Sequence, residues 1–359
     1  MIDLLPEIEQ WLGHGEEIAV ATVIRVAGSA PRPVGARMIV SSTGRMAGSV
    51  SGGCVETAVY EEMRDVLAGG PPRTLHFGIT EDMIWDVGLA CGGTIDVYVQ
   101  KLDPAVVAAL AEQVERGEAV ALATVVSGGS GSVLIVREGV VAGGEGEKPV
   151  SYLAEITALA QEMLAARAER GLVREAAPGV EVFVEAFLPP PVLLVIGGVH
   201  VAIPLTRYAH ELGFYIIVVD PRSKFANRER FPDADEVWVE WPEEAFRHLT
   251  VDEGTYVVVL THDPKIDEPT LAAALQTEAA YIGAIGSRKT HAARSDRMAQ
   301  WGVTTEQLGR VYAPVGLDLG SQRPAETALS IIAEVVAVKN GRRGGSLRGG
   351  KQPIGQRRD

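Results

Sequence analysis

VLLVIGGVHVA, residues 192–202, is the stretch that decides how the second half of the chain is interpreted. An apolar run of strand length leads into two adjacent glycines, and the residues after them begin a helical pattern. A buried parallel strand that passes through a glycine turn into a helix is the opening unit of a doubly wound α/β sheet. The stretch therefore predicts a Rossmann-like domain with its ligand site at the carboxyl edge of the sheet.

The sequence that follows repeats this alternation of apolar strand and helix. YIIVVD, EVWVE, TYVVVLTH and AYIGAIG have the composition of further strands, with helical segments between and after them. Strands that are covered by helices on both faces are apolar along almost their whole length. We therefore predict a Rossmann-like doubly wound parallel sheet over residues 189–340, which the proline-rich FLPPP joins to the preceding domain.

The first half of the chain contains an internal repeat. EEIAVATVIRVAGS, beginning at Glu16, resembles EAVALATVVSGGSG, beginning at Glu118, and a strand-like run and a helical segment follow each copy. We predict an N-terminal α+β domain over residues 1–188 that is built as a pseudo-repeat. Only the first copy contains the insertion APRPVG and ends in SGGC. Features that one copy has and the other lacks are expected to serve a site rather than the scaffold.

Composition and charge exclude several classes of protein. The 359 residues carry a net charge of −14, which argues against nucleic acid as a general partner. No apolar run approaches the roughly 20 residues that cross a bilayer, and the acidic N-terminus lacks a signal-peptide pattern. Two cysteines form no disulfide framework, so we expect a cytoplasmic protein without membrane contact. Residues 341–359 are rich in glycine and arginine and are predicted to form a disordered basic tail.

GSVSGGCVE, residues 48–56, has the composition of an anion-binding turn. Glycines let backbone N–H groups converge, and a helix that starts at Cys54 would add its positive end and favour a thiolate. The alternative is a tight turn whose cysteine is simply packed inside. The predicted cofactor-binding residues here are Gly48, Ser49, Ser51, Gly52, Gly53 and Cys54, with Arg37 as the counter-charge.

The second cysteine also lies beside glycines. Cys91 precedes Gly92 and Gly93 in the sequence ACGGTIDVYV, so both cysteines of the chain belong to glycine-rich turns. No histidine lies near either cysteine, which argues against a zinc pattern. A redox pair or a shared soft-metal site remains open, and we include Cys91, Gly92 and Gly93 among the predicted cofactor-binding residues.

The glycine turn of the second half departs from the dinucleotide fingerprint. Gly197 supplies the first glycine, but Val199 stands where the pyrophosphate requires a close approach to glycine. Gly198 can shift the register of the turn, and Asp220 ends the second strand where a ribose-binding acid belongs. We predict weak or absent NAD(P) binding, which Val199→Gly should improve if the rest of the site is intact. The alternative is a Rossmann-like platform that binds no dinucleotide.

Further polar residues follow the predicted strands of the second half. Loops at the carboxyl ends of parallel strands hold ligands in doubly wound sheets, and helix starts there bind phosphate. Capped helix starts and plain turns explain the same residues without a ligand. The candidates are His200, His262, Asp263, Asp267, Gly286, Ser287, Arg288 and Asp318.

Six motifs in order resemble a known family. GSAPRPVGARMIV, GSVSGGCVE, CGGTIDVYV, THDPKID, YIGAIGSRKT and PVGLDLGSQRPAE are similar to the signatures of the xanthine dehydrogenase accessory factor (XdhC/CoxI) family. The resemblance implies a non-catalytic chaperone that binds the molybdenum cofactor, a phosphate-bearing molybdopterin, as a transient ligand. It would insert that cofactor into an apo molybdenum hydroxylase of the xanthine dehydrogenase or CO dehydrogenase type. The resemblance also implies a homodimer.

Two other functions remain open at this stage. The α/β half favours an NAD(P)-dependent oxidoreductase, although the altered glycine fingerprint counts against it and no Tyr-x-x-x-Lys signature stands out. Cys54 and Cys91 favour a cysteine-dependent sulfur transferase, or a chaperone that works with a sulfur-donating enzyme. In the chaperone interpretation, Cys54 is a soft ligand for molybdenum.

Overall fold

A computed structural model describes residues 1–28, 30–78, 93–129, 131–136, 139–143, 152–168 and 171–349. The chain divides into two compact units, Met1–Pro189 and Pro190–Asp359. Among the described residues, no helix has the length and apolar character needed to span a membrane.

The first unit is a duplicated α+β structure, as the internal repeat predicts. The first copy runs α1 (Leu5–Gly13), β1 (Ile18–Ala27), β2 (Arg37–Ser41), β3 (Met46–Gly48), α2 (Glu56–Leu67), β4 (Arg73–Phe77) and β5 (Thr94–Lys101). The second copy runs α3 (Pro104–Glu115), β6 (Val120–Ser127), β7 (Ser132–Val136), β8 (Gly139–Gly143), α4 (Leu153–Ala165), β9 (Leu172–Ala177) and β10 (Val180–Phe187). Their sheets have the matching orders β3-β2-β1-β5-β4 and β8-β7-β6-β10-β9, so the pseudo-repeat is confirmed element by element.

Alternation along the strands places a sheet between two apolar layers in each copy. Ala19, Ala21 and Val23 of β1 pack with α2, because successive side chains of a strand point to opposite faces. The intervening Val20 packs with Leu122 of β6 in one core that both copies share. The inner faces of the two sheets therefore meet inside the first unit.

The second unit is a doubly wound parallel sheet. Its elements are β11 (Val192–Ile196), α5 (Ala202–Glu211), β12 (Tyr215–Val219), β13 (Glu236–Trp238), α6 (Pro242–His248), β14 (Thr255–Val259), α7 (Pro264–Ala274), β15 (Tyr281–Ala284), α8 (Arg288–Met298), α9 (Thr305–Leu308), β16 (Val311–Tyr312) and α10 (Pro324–Lys339). The strand order is β13-β12-β11-β14-β15-β16, and every pairing is parallel. The predicted Rossmann-like fold is confirmed, and α5 and α10 cover one face of its sheet.

Parallel pairing brings the carboxyl ends of the strands to one edge. Ile196 of β11 pairs with Val219 of β12 and Val259 of β14, and Val259 pairs with Ala284 of β15. The residues that follow these strands are therefore neighbours although they are far apart in sequence. This edge is where doubly wound sheets bind their ligands.

Candidate functional site

The glycine turn between β3 and α2 is closed by a carboxylate of the chain itself. Glu56 accepts hydrogen bonds from the backbone N–H groups of Ser51 (2.9 Å), Gly52 (3.0 Å), Gly53 (2.8 Å) and Val55 (3.2 Å). The hydroxyls of two serines also donate to it, from Ser49 at 2.6 Å and from Ser51 at 2.5 Å. The turn is thus an anion-binding nest, as its composition predicts, but Glu56 fills it.

The nest stabilises the negatively charged form of Glu56. Burial by itself would raise the pKa of Glu56, but the hydrogen bonds from Ser49 and Ser51 outweigh it and lower the pKa to about 2. Gly52 (φ +79°) and Gly53 (φ +123°) adopt the backbone conformation that aims their N–H groups at the carboxylate. A phosphate or other oxyanion enters this turn only by displacing Glu56.

Cys54 lies at the exposed tip of the turn. Its thiol is free and its side chain is exposed, while Val50 and Val55 on either side are buried in the core beneath α2. The helix begins at Glu56, so the expectation that it starts at Cys54 was wrong by two residues. The packed-cysteine alternative does not describe this structure, which presents the thiol to solvent on a hydrogen-bonded and anchored loop.

Arg37 has a role other than that of a counter-charge for the turn. Its guanidinium is buried and makes a two-point ion pair with Glu185 of β10, one arm of which is 3.1 Å long. Arg37 therefore links the two repeats and is not free to meet an anion at the turn. Its backbone carbonyl accepts from Ser49 N–H at 2.8 Å and would lie 2.3 Å from a Cβ at Gly48. Gly48 is required for this close packing.

Part of the second cysteine motif lies outside the described residues. The predicted site residues Cys91 and Gly92 belong to the segment 79–92, about which the structure says nothing. Gly93 is described and buried immediately before β5. Among the described residues, no group of three or more His, Cys, Asp and Glu side chains is arranged to hold a metal ion. The soft-ligand role of Cys54 stays a prediction for a single thiol.

The glycine turn of the second unit also binds a carboxylate of the chain itself. Gly198 N–H donates to Asp220 at 2.9 Å, and Asp220 is fully buried. Arg222 donates to both oxygens of the same carboxylate through its backbone N–H, Nε and Nη2, at 2.9, 2.8 and 2.7 Å. Burial by itself would raise the pKa of Asp220, but the hydrogen bonds from Arg222 outweigh it and lower the pKa. The carboxylate that would hold a ribose is thus already engaged.

Space at this turn is limited as well. A Cβ at Gly198 would lie 2.4 Å from the carbonyl oxygen of Phe225, and one at Gly197 would lie 2.5 Å from Thr261. Val199 packs against the core beneath α5 rather than projecting freely into a ligand site. Both positions therefore require glycine, Gly198 because of the backbone of Phe225 and Gly197 because of the side chain of Thr261.

Two acids at the start of α7, after β14, have different environments. Asp263 caps α7 by accepting from Lys265 N–H at 3.0 Å, which is the capped-helix alternative for this residue. Asp267 is buried, and it accepts a hydrogen bond from Thr261 and pairs with Arg294 of α8 at 3.1 Å. Burial raises the pKa of Asp267. His262, which precedes both acids, is exposed and has a positive φ of 63°, a conformation uncommon for residues other than glycine.

Arg294 is a residue that the sequence interpretation missed. Its side chain is 3% exposed, and Nη2 donates to Asp267 and to the carbonyl of Ile285 at 3.3 Å. Nη1 is buried and has no hydrogen-bond partner among the residues that the structure describes, and the same holds for Nδ1 of His291. Burial and the charge of Arg294 lower the pKa of His291. A buried guanidinium that is only half satisfied has donors to offer an anion.

The remaining predicted residues lie at the same edge or near it and are exposed, apart from the half-buried Gly286. Ser287 caps α8 by accepting from Thr290 N–H at 3.1 Å, and Gly286 before it has φ +145°. Arg288 is exposed on the first turn of α8, and His200 is exposed before α5. Asp318 is exposed and accepts from Gly320 N–H at 3.3 Å within its own loop. These positions stay predictions, since each residue also has a purely local role or none.

Two family models match separate parts of the chain. The model described as the XdhC and CoxI family matches residues 11–78, which include the turn with Cys54. The model described as the XdhC Rossmann domain matches residues 193–335, which contain the parallel sheet of the second unit.

Curated relatives and a solved structure match almost the whole chain. A Bacillus subtilis protein named as a probable subunit of xanthine dehydrogenase is 27% identical over 92% of this chain and 96% of its own length. The molybdenum cofactor insertion chaperone PaoD of Escherichia coli is 27% identical over 91% of this chain and 85% of its own. A crystal structure described as a xanthine dehydrogenase from Bacillus halodurans is 26% identical, with a TM-score of 0.65, over 97% of this chain and 98% of that one.

Proposed function

Because the chain belongs to the XdhC and CoxI family, we propose that it is a chaperone that binds the molybdenum cofactor and inserts it into an apo molybdenum hydroxylase. The relative PaoD is named for that activity and matches this chain over most of both lengths. The relative from Bacillus subtilis is named as part of a xanthine dehydrogenase, which supports a client of that type. The protein handles the cofactor as a transient ligand and turns over no metabolite.

The observation that carries the proposal is the presentation of Cys54. A chaperone for a metal–sulfur centre needs a soft donor that the incoming ligand can reach and that does not collapse into the core. Cys54 is exposed, while Ser51 Oγ accepts from its backbone N–H at 3.0 Å and the valines on both sides are buried. The thiol therefore projects from a fixed loop.

The residues of the turn suit the metal end of the cofactor but not its phosphate end. An exposed thiol suits the molybdenum–sulfur centre. Glu56 occupies the backbone nest that the terminal phosphate would need. A phosphate there would have to replace the six hydrogen bonds that Glu56 accepts from serine hydroxyls and backbone N–H groups. We therefore place the metal end at Cys54 and do not place the phosphate in the turn.

Arg294 is the residue of the second unit that best suits an anionic group. Its buried Nη1 has no partner among the described residues, and Asp267 and Ile285 fix the position of the guanidinium. Arg294→Lys keeps the charge but removes the planar fork, so it should weaken inorganic pyrophosphate binding if this donor holds a phosphate. An unchanged affinity for pyrophosphate would remove Arg294 from the proposal and leave the role of Cys54 standing.

A transfer experiment tests the proposed function. The protein is incubated with molybdenum cofactor, separated by gel filtration, and mixed with an apo molybdenum hydroxylase of the xanthine dehydrogenase type. We expect molybdenum to co-elute with the protein and the hydroxylase to gain activity faster than with an equal amount of free cofactor. Absence of both co-elution and activation would contradict the proposal. Light scattering on the same fractions tests the expected homodimer.

A second function is favoured by the same exposed thiol. In cysteine-dependent sulfur transfer, the Cys54 thiolate would attack the outer sulfur of a donor enzyme's persulfide, releasing the donor thiolate and leaving a persulfide on Cys54. Mass spectrometry after incubation with a cysteine desulfurase and cysteine would detect that persulfide. Cofactor retention without persulfide formation favours the chaperone, and persulfide formation without cofactor retention favours the transferase.

A further inference from the structure

The outer strand β13 of the parallel sheet carries a surface that is both acidic and aromatic. Among the described residues, β13 pairs only with β12 and is the first strand in the sheet order. We call residues 236–244, which run from β13 into the first turn of α6, the acidic edge. Its charged residues are all acids, namely Glu236, Glu240, Glu243 and Glu244.

Large apolar side chains of the acidic edge are open to solvent. Val239 is 51% exposed and Trp241 is 49% exposed, on either side of Glu240. Glu236 accepts hydrogen bonds from Tyr215 Oη and Trp238 Nε1, each at 2.6 Å, and so fixes two further aromatic rings beside them. Exposed apolar side chains that lie together among polar residues mark interaction surfaces.

This combination of groups selects a basic partner. Carboxylates pair with guanidinium groups, and the face of a tryptophan ring attracts the same cation. An acidic partner would be repelled by the four glutamates, and a purely apolar one would remove their charges from water without compensation. The acidic edge therefore suits a segment that combines arginine with an apolar side chain.

The basic tail of this chain, residues 341–359, has that composition although the whole chain has a net charge of −14. Its basic residues are Arg342, Arg343, Arg348, Lys351, Arg357 and Arg358, and its one acid is Asp359. In the described part of the tail, Arg343 and Arg348 are exposed, and Leu347 between them is 71% exposed. The tail thus offers the two kinds of group that the acidic edge lacks a partner for within β13 and α6.

The tail begins at the opposite side of the sheet. Val315 N–H donates to the carbonyl of Ala284 in β15 at 3.1 Å, and a Cβ at Gly344 would lie 2.9 Å from the side chain of Leu317. β15 and β13 are four strand spacings apart, which is about 19 Å. Arg343, which precedes Gly344, therefore lies far from the acidic edge of its own chain.

We propose that the acidic edge binds the basic tail of a second copy of this chain. Arg343 and Arg348 pair with its glutamates, and Leu347 packs on its exposed apolar side chains. When each copy gives its tail to the other, the two contacts are identical and close a twofold dimer, as in the exchange of one element between protomers. The contact is separate from the cofactor site and does not depend on the proposed function.

The salt dependence of association tests the contact without any substitution. Exposed ion pairs are screened by salt, so we expect the dissociation constant of the wild-type dimer to rise about tenfold or more between about 50 mM and 500 mM sodium chloride. Sedimentation equilibrium measures this constant. A protein that stays monomeric at the lower salt concentration, or a dissociation constant that does not change with salt, overturns the proposal.

Charge reversal tests the two surfaces separately. Arg343→Glu combined with Arg348→Glu reverses the tail. Glu240→Lys combined with Glu244→Lys reverses the acidic edge. Each pair of substitutions turns attraction into repulsion in both contacts of the dimer, so each should weaken association by about tenfold or more.

A matched control separates this effect from that of net charge. Lys224→Glu combined with Lys265→Glu changes the net charge by as much as the tail reversal does, at two exposed lysines of the same unit. This control should associate like wild type, and circular dichroism should show that all the variants are folded. The proposal is overturned if the control weakens association as much as the tail reversal.

Mixing the two reversed variants tests whether the contact joins different copies. In a mixed pair, an acidic tail meets a basic edge and a basic tail meets an acidic edge, so both contacts are attractive again. We expect an equimolar mixture to associate nearly as well as wild type, although each variant alone does not. A tail that binds the edge of its own chain gives no such recovery. The proposal is overturned if the mixture associates no better than the separate variants, or if either variant alone associates like wild type.

Discussion

Each unit contains a glycine turn that binds a carboxylate of the chain, Ser51–Cys54 in the first unit and Gly197–Gly198 in the second. The two turns differ in how accessible they are. In each, backbone N–H groups donate to a carboxylate of the chain, Glu56 in the first turn and Asp220 in the second. The first turn lies at the surface with an exposed thiol at its tip, and open space surrounds Gly52 and Gly53. The second, here called the sealed turn, is crowded, because a Cβ at Gly198 would meet the carbonyl oxygen of Phe225 and one at Gly197 would meet the side chain of Thr261. A glycine-rich turn therefore marks a binding site only where its donors or its tip remain accessible.

Removing the carboxylate of the sealed turn should have the largest effect on stability. Asp220→Ala leaves a buried Gly198 N–H without an acceptor and removes the partner of Arg222, so we expect about 3 kcal/mol less free energy of unfolding. Urea denaturation measures this change. Asp220→Asn, which keeps the volume and one acceptor oxygen, is the matched control and should cost less. A loss below about 1 kcal/mol for Asp220→Ala would show that this turn is not held by Asp220.

Replacing a glycine by alanine should destabilise the second turn more than the first, because the second is more tightly packed. Gly198→Ala places a Cβ 2.4 Å from the carbonyl oxygen of Phe225, which forces the backbone apart and should cost about 2–3 kcal/mol. Gly52→Ala meets no atom within 4 Å, so only its positive φ opposes it, at about 1–2 kcal/mol. Thermal unfolding of both variants tests the order. An equal or reversed order would contradict the assignment of the second turn as the crowded one.

The stability that Glu56 gives to the first turn should depend on pH. The pKa of Glu56 is lowered from 4.5 to about 2, so its stabilisation is fully present above about pH 4.5 and is lost as the pH falls toward 2. Glu56→Gln should lower the free energy of unfolding by about 1–2 kcal/mol at pH 7, and the difference from wild type should vanish near pH 2. Denaturation curves across that range test it. A difference that stays constant with pH would mean that the charge of Glu56 contributes nothing.

A change at the sealed turn should not create a dinucleotide site. The sequence alone led us to expect that Val199→Gly improves NAD binding if the rest of the site is intact. In the structure, Asp220 is engaged by Gly198 and Arg222, so we expect no measurable gain. Calorimetry with NADH on wild type and variant tests this. Binding of NADH by the unaltered protein at low micromolar concentration would show that Arg222 yields the carboxylate to a ribose.

The sequence predicted the architecture because the architecture rests on local periodicity. Apolar runs of strand length and the return of EEIAVATV as EAVALATV identify the sheets and the duplication. The sequence also singled out Cys54 and the glycines of both turns, whose part in binding stays a prediction. The helix start was misplaced by two residues, because the side chain of Glu56 folds back and accepts from the N–H groups of the preceding turn, which the local pattern does not reveal.

The pairings that fix the site were beyond sequence reasoning for a physical reason. Arg37 and Glu185 are far apart in the chain, and only the stacking of the two sheets brings them together. Arg294 lies in a helix that is polar along most of its length, and nothing in that pattern distinguishes it from its exposed basic neighbours. The spacing of Asp220 and Arg222 was a visible signal, since an arginine two residues after a strand-ending aspartate can reach back to it.

Retention of molybdenum cofactor by Cys54→Ser tests whether the exposed thiol of the first turn holds the cofactor. The substitution keeps the size of the side chain and the hydrogen bonds of the turn but removes the soft donor, so circular dichroism should match that of wild type. Thr57→Ser, an exposed change on the first turn of the following helix, is the control that keeps the thiol. After incubation with cofactor and gel filtration, we expect molybdenum to stay with wild type and Thr57→Ser and to be lost from Cys54→Ser. Equal molybdenum in all three proteins would contradict this expectation.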